Sequence, residues 1–190
     1  MKVYLLLAHP DTKSFNGHIA DACEVALLSA GYQVRRQNIG QMRFDPILWH
    51  GYGQVQELEE DLLTAQQNIL WCDKWVIIYP VWWGSVPALF KGFLDRVLLP
   101  GFAFKYHEKG PFWDGYLTKR SAHIIATSDA PAIWLWWQYR SSDIRAIRKA
   151  TLEFCGVKPV KVSRIGRVKY LTAAQREIVV ARLARQIRLD

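Results

Sequence analysis

The 190-residue sequence is poor in several features that would assign a protein class at once. It has no GxGxxG fingerprint and no Walker-type GxxxxGK[ST] loop, which excludes two common glycine-rich ways of seating a dinucleotide or a triphosphate. Its three cysteines, Cys23, Cys72 and Cys155, are widely separated, odd in number and in no CxxC pair. That argues against a disulfide framework or a zinc site and suits a reducing, cytoplasmic location. No apolar run approaches the roughly 20 residues that a membrane-spanning helix needs. The start, MKVYLLLAHPDTKSF, carries one lysine and a short apolar core but no small-residue cleavage site, so it reads as a buried first strand rather than a signal peptide. Internal repeats, low-complexity tracts and linker-like runs are missing too, which leaves a single domain over residues 1–190.

Aromatic residues and positive charge are plentiful. Nine tryptophans and a net charge of +8 stand out in a chain that is 51% hydrophobic. The cations are scattered except for the terminal RLARQIRLD, and no nucleic-acid-binding motif accompanies them. Attraction of phosphate-bearing cofactors is the simpler use of such a surface.

Along the chain, strand and helix patterns alternate. KVYLLLA is a continuous apolar run, as for a central strand covered on both faces. SFNGHIADACEVALLSAGYQ reads as a helix, with Ile19, Cys23, Ala26 and Leu27 at helical spacing and Gly31 as its C-terminal stop. QVRRQNI suggests a peripheral second strand. An aromatic-bearing connection leads to a second helix within QVQELEEDLLTAQQNILWC, with Leu58, Leu62, Leu63, Ile69 and Leu70 mostly to one side. KWVIIYP is a third strand and PALFKGFLDRVLL a third helix with an apolar face of Leu89, Phe90, Phe93, Leu94 and Val97. A long irregular piece, PGFAFKYHEKGPFWDGYLTKR, precedes strand four (SAHIIATS), helix four (DIRAIRKATLEFCG), strand five (KPVKVSRIG) and the last helix. That helix opens with Thr172 three residues before Gln175, a capping-box pattern. Alternation of this kind predicts an α/β fold of three layers, a parallel sheet between two sets of helices.

In a doubly wound sheet, ligands bind beyond the carboxyl ends of the strands. Three loops fall there. HPDTKSFNGHI offers the hydroxyls of Thr12 and Ser14, the Asn16 amide and the free N–H groups of a first helical turn, a socket for an anion. YPVWWGSVP sets Trp82 and Trp83 beside Gly84 between two prolines, a place where backbone and aromatic surface can approach a flat heteroaromatic ring. TSDAPAI adds Thr127 and Ser128. Among the histidines only His9 lies in such a motif; His18, His50, His107 and His123 read as structural.

These segments give the chain a family likeness. HPDTKSFN, the long run YPVWWGSVPALFKGFLDRVLLPGFAFKY, KGPFWDG and LEFCGVKPV resemble segments of the flavodoxin-like NAD(P)H:quinone oxidoreductases, the family that includes small bacterial quinone reductases and potassium-efflux ancillary reductases. The likeness runs from about residue 1 to residue 166. It implies a flavodoxin-like fold with a five-stranded parallel sheet in the order 2-1-3-4-5, a homodimer, and a flavin near the subunit interface. By the same likeness His9, Thr12, Ser14, Phe15 and Asn16 hold the flavin phosphate and ribityl chain. Pro80, Val81, Trp82, Trp83 and Gly84 line the isoalloxazine, Thr127, Ser128 and Asp129 close its far side, and Phe104 and Tyr106 roof the substrate pocket across the interface.

One segment departs from the pattern. The larger quinone reductases carry a Gly-Gly pair here, then a tyrosine and a histidine that assist proton movement. This chain has Asp129 and Ala130 at the glycine positions of TSDAPAIWLWWQYR, and no proton-relay or other catalytic side chain is assigned. The short carboxyl end tilts the cofactor towards FMN, with FAD as the alternative and NAD(P)H as electron donor. The expected activity is two-electron transfer to a quinone-like acceptor, without nucleic acid or metal. Two alternatives remain. One is a flavodoxin-type electron carrier, though such carriers are typically acidic. The other is a regulatory flavoprotein subunit of a potassium-efflux system, associated peripherally with a membrane transporter.

Overall fold

A computed structural model describes residues 1–189 of the chain. In chain order the elements are β1 (Lys2–Leu7), α1 (Phe15–Ser29), β2 (Gln33–Asn38), α2 (Glu60–Trp71), β3 (Lys74–Pro80) and α3 (Ala88–Val97). They continue with β4 (Phe104–Tyr106), β5 (Trp113–Gly115), β6 (Ser121–Thr127), α4 (Ala132–Tyr139), α5 (Ser142–Ile147), β7 (Val160–Ile165) and α6 (Ala173–Leu189). The main sheet has the order β2-β1-β3-β6-β7 and every pairing in it is parallel. Numbered among themselves, its five strands run 2-1-3-4-5, the flavodoxin-like order that the family likeness implied. The short β4 and β5 form a separate antiparallel hairpin within the long irregular piece.

The apolar runs are continuous because the two faces of the sheet feed two cores. Tyr4, Leu6, Trp75, Ile77, Tyr79, Ile124 and Ala126 point to a core shared with α2 and α3. Their neighbours Val3, Leu5, Leu7, Val76, Ile78 and Ile125 point to the core under α1 and α6. Successive side chains alternate, so a strand covered on both sides has no polar position to spare. Each fully buried Leu, Ile or Phe contributes about 1.5–3 kcal/mol of transfer free energy.

Helix ends follow local chemistry. Ser14 Oγ accepts the Gly17 N–H at 3.2 Å and so caps α1, while Gly31, at φ +78°, takes the left-handed turn beyond its end. At α6 both bonds of the capping box form: Gln175 Oε1 accepts the Thr172 N–H at 3.0 Å and Thr172 Oγ1 accepts the Gln175 N–H at 3.2 Å.

Three expectations about helices change. The second helix starts only at Glu60, not within QVQELE, and Leu63 and Leu70 are exposed while Leu62, Ala65, Asn68 and Ile69 face inward. The reason is tertiary: Arg96, buried on α3, donates to the carbonyls of Asp45 (2.5 Å) and Glu57 (2.7 Å) and pairs with Glu59 Oε2 at 2.9 Å. Those bonds hold residues 45–59 as a strap across α3, where Gly92 admits Pro46; a Cβ on Gly92 would lie 2.4 Å from the Pro46 oxygen. The fourth predicted helix is α5 followed by a π-helical stretch from Arg148 to Glu153. Before it stands α4, which the sequence reading left inside a loop because its aromatic residues show no single buried stripe.

Candidate flavin-binding cleft

All five parallel strands end at one edge, and the loops that follow β1, β3 and β6 meet there. They enclose a cleft of about 170 Å³ lined by His9, Ser14, Phe15, Asn16, Pro80, Val81, Trp82, Thr127, Ser128, Asp129 and Val168. Ten of the thirteen residues expected to hold the cofactor are thus brought together. Of the other three, Thr12 lies under α1, where its carbonyl oxygen would be 1.8 Å from a Cβ on Gly17. Trp83 and Gly84 sit just outside, at the tip of a tight turn.

The cleft floor is cross-braced. Thr127 Oγ1 donates to Asn16 Oδ1 at 2.8 Å, joining two buried residues 111 positions apart in the chain. The Val81 N–H donates to the Thr127 carbonyl at 2.7 Å and the Ser128 N–H to that of Ile165 at 2.8 Å. These bonds knit the ends of β3, β6 and β7 into one rim. Asp129 Oδ1 accepts the Lys169 N–H at 2.9 Å, and the Val168 N–H donates to the Ser128 carbonyl at 3.0 Å. The loop after β7 is therefore a fourth wall. Sequence reasoning missed it, although it too follows a parallel strand and begins with Gly166, whose Cβ would meet Ala130 O and Ala132 N at 2.9 Å.

One end of the cleft presents uncommitted hydrogen-bond donors. The first N–H groups of α1, on Phe15 and Asn16, have no intrahelical carbonyl to reach. The Ser14 hydroxyl fixes the loop itself, donating to the Asp11 carbonyl at 2.7 Å and accepting the Gly17 N–H at 3.2 Å. His9 Nδ1 accepts the Asp11 N–H at 2.9 Å, so in the neutral ring the proton sits on Nε2. Partial burial, opposed by the charge of the Asp11 carboxylate, holds His9 below its usual pKa of 6.5 and favours that neutral, donating form. A cation that the sequence did not single out stands nearby. The Arg176 guanidinium lies 5.6 Å from the centre of the Phe15 ring, and its Nε is buried without a hydrogen-bond partner among the described residues.

The β3–α3 turn shows what the paired tryptophans do. Trp82 and Ser85 exchange two backbone hydrogen bonds of 2.9 Å, with Trp83 (φ +52°) and Gly84 (φ +67°) between them. Positive φ at both central residues is the two-residue hairpin geometry that matches strand twist. Trp82 turns inward, edge-on to His9 at 5.6 Å between ring centres. Trp83 projects wholly into solvent, at 103% of its reference exposure, in a backbone conformation that a bulky residue seldom takes.

Phe104 and Tyr106 belong to a different cavity. They line one of about 440 Å³ together with Tyr52, Leu94, Ile147 and Phe154, and it shares no lining residue with the strand-end cleft. Phe154 is its hub, stacked on Trp113 at 4.6 Å and edge-on to Phe104 at 5.0 Å, while its carbonyl accepts the Trp113 indole N–H at 2.9 Å. The three thiols offer no nucleophile: burial pushes Cys23 and Cys155 up to about 12 and Cys72 to about 11. Three of the remaining histidines have structural partners, His18 with Glu177 (3.1 Å), His107 with Asp114 (3.1 Å) and His123 with Ser163 (2.9 Å).

Comparison with known proteins adds a family and relatives. The profile of the Flavodoxin_2 family, described as a flavodoxin-like fold, matches residues 1–188. A ribosyldihydronicotinamide dehydrogenase [quinone] of Mus musculus is 26% identical, with 98% of this chain and 90% of that protein aligned. The solved NAD(P)H:quinone oxidoreductase of Methanothermobacter marburgensis superposes with a TM-score of 0.85 at 27% identity, over 99% of this chain and 98% of that one. An FMN-dependent NADH-azoreductase of Bacillus anthracis, solved with FMN, shares the fold at 20% identity and a TM-score of 0.71, over 98% and 95% of the two chains.

Proposed function

Because the chain belongs to the Flavodoxin_2 family of flavodoxin-like folds, we propose that it is a flavin-dependent NAD(P)H oxidoreductase whose acceptors are quinones or similar compounds. The carrying observation is the meeting of an anion-binding helix start with backbone and aromatic surface in one cleft. The residues fit FMN. The donors at the α1 end (the Phe15 and Asn16 N–H groups and His9 Nε2) suit a phosphate, and the Arg176 charge nearby offsets its own. Pro80, Val81 and Trp82 would face the ring system, and Thr127 to Asp129 would close its other side. When bound, FMN supplies a two-electron carrier between NAD(P)H and the acceptor. The chain's own residues would contribute position: the cross-braced rim fixes the surface of Pro80, Val81 and Trp82 on which the ring system would lie.

The separation of the two cavities favours a homodimer. Phe104 and Tyr106 do not line the cleft of their own chain, so to roof a substrate pocket they must come from a second copy. Trp83, unpacked in the single chain, would then lie against that copy. NAD(P)H and acceptor occupy the same slot in turn.

The test is direct. The purified protein, supplemented with flavin, is expected to be yellow and to release FMN on denaturation, read by absorption and mass spectrometry. NAD(P)H oxidation with a soluble quinone should give parallel double-reciprocal lines, and light scattering should give twice the chain mass. A folded protein that takes up no flavin overturns the assignment; intersecting lines overturn the shared slot.

A further inference from the structure

Between β2 and α2, residues 45–59 keep a fixed course without helix or strand. The two ends of this strap meet at its base. Glu59 Oε1 accepts the Asp45 N–H at 2.9 Å, and both ends bind the buried Arg96 guanidinium. Inside the strap, Asp45 accepts the Ile47 N–H at 2.9 Å and the Trp49 indole N–H at 2.6 Å. The Gln56 side-chain amide bonds the Ile47 carbonyl at 3.1 Å and the Trp49 N–H at 3.2 Å. A compact loop closed at its base and tied by its own side chains is an Ω-loop, a form that often carries function. Taking a guanidinium out of water costs several kcal/mol, which its partners must offset. Yet the tip so held, from Trp49 to Tyr52, is exposed. The strap is rigid for a purpose other than its own packing.

Its tip reaches the cavity of Phe104 and Tyr106. Tyr52 stands edge-on to Phe104 at 6.3 Å between ring centres, and Phe104 is edge-on to Tyr106 at 5.4 Å in turn. With Phe154 these rings line the space of about 440 Å³. The one cation and the one carboxylate in its lining, Lys91 and Asp95, pair at 2.6 Å and leave no net charge. The Tyr52 hydroxyl has no hydrogen-bond partner among the described residues. Partial burial, with Asp95, Tyr106 and Cys155 around it, holds that hydroxyl above its ordinary pKa, so it stays a neutral donor. Those three neighbours all line the cavity, which sets the hydroxyl on the cavity too.

We propose that Tyr52, carried on the Arg96-anchored strap, is a specificity-determining residue of the acceptor pocket, where it donates a hydrogen bond to a carbonyl oxygen of a neutral, planar quinone. The inference rests on the flavin-reductase reading and on the second copy it invokes. Because Tyr52 and Phe104 are ring neighbours, a copy that brings Phe104 and Tyr106 over its partner's cleft brings Tyr52 with them. The uncharged lining suits a neutral acceptor, and aromatic walls suit a flat ring with a few placed polar groups. A phenol supplies the donor that apolar walls lack, and a site built to hydrogen-bond its ligand rejects one that cannot accept. Arg96 and Asp45 touch the strap and not the acceptor, so they are positioning residues.

The experiment compares wild type, Y52F and D45A as flavin-loaded full chains, with menadione and ferricyanide as acceptors. Menadione is neutral and offers carbonyl oxygens; ferricyanide is an anion and offers none. With one hydrogen bond removed, Y52F should lower kcat/KM for menadione about three- to tenfold more than that for ferricyanide. Titration of the oxidised protein without NAD(P)H, read by flavin difference spectra, should weaken the Kd for menadione by a similar factor. D45A frees the Ile47 and Trp49 anchors, and it should shift the same ratio in the same direction. A residue with a merely structural role would lower Tm and leave that ratio alone. Circular dichroism and flavin content report folding and loading, and if D45A does not fold, Y52F decides. Protein that takes up flavin and reduces ferricyanide, while Y52F keeps the wild-type ratio and Kd, overturns this inference and leaves the flavin-reductase reading standing. Protein that takes up no flavin overturns both. A wild-type ratio in D45A overturns the role of the strap, and a changed mass by light scattering in Y52F with the ratio intact reassigns Tyr52 to contact between copies.

Discussion

The strand-end cleft and the aromatic face of the molecule are built by opposite rules. In the cleft, buried polar side chains are fixed by short hydrogen bonds, as in Asn16 with Thr127, and the walls come from four loops that brace one another. On the aromatic face, Trp83, Trp136 and Trp137 are solvent-exposed, and the chain spends backbone strain at Trp83, Arg140 and Ser141 to hold that arrangement. The difference teaches where each kind of mutation will be felt. The cleft is over-determined and should fail by losing stability and cofactor together. The aromatic face is under-packed in the single chain and should lose partners while the fold persists.

The largest effect is expected for Gly17→Ala. Its Cβ would fall 1.8 Å from the Thr12 carbonyl oxygen, and backbone cannot swing aside as a side chain can. Overpacking of this kind costs about 1–3 kcal/mol, and the displaced loop is the end of the cleft proposed to hold the phosphate. Chemical denaturation should show the loss, and fluorescence titration should show FMN binding nearly abolished. Intact FMN affinity in this variant would break the comparison, because the loop would then be adaptable after all.

Asn16→Ala comes next. It leaves the Thr127 hydroxyl buried without its acceptor, at a cost of about 1–3 kcal/mol in unfolding free energy. Ser14→Ala removes the α1 cap and should cost about 1 kcal/mol, with a parallel drop in FMN affinity. On the other face, Trp83→Gly should do the reverse. It replaces a bulky residue at φ +52° by one that accepts that angle, so thermal stability should rise by about 0.5–1 kcal/mol while KM for the acceptor worsens. If Trp83→Gly instead destabilises the purified protein, the residue is already packed, by a partner in solution.

The smallest effect is a pH dependence. Burial lowers the His9 pKa in the folded chain, so the unfolded chain binds the extra proton first as pH falls. The stabilisation is complete above the unfolded value near 6.5 and is lost as pH drops through the lower folded value. Comparing melting temperatures of wild type and His9→Gln between neutral and mildly acidic pH should show a flatter profile in the variant.

Much of the cleft was legible because it is local. HPDTKSFN and YPVWWGS each carry their cap, turn and strand end within a few residues, and period-two burial explains why the strand runs are apolar throughout. The fourth wall was not legible, since Val168 and Arg176 have no distinctive neighbours in sequence and reach the site only because β7 lies beside β6. Nor was the late start of α2. Leu58 and its neighbours keep a helical spacing, but Arg96, 37 positions from Glu59, takes the Glu57 carbonyl and the Glu59 carboxylate for the strap instead.

By itself, then, the sequence determined the alternation of elements, the caps and the chemistry at each strand end, all set by torsional preference and hydrogen bonds a few residues long. Only the tertiary structure decided which strand ends stand together, that Phe104 and Tyr106 fall in a cavity apart from the cleft, and that α4 stays uncovered within the single chain. Those outcomes depend on strand order and on contacts many tens of residues apart, whose energies no local pattern records.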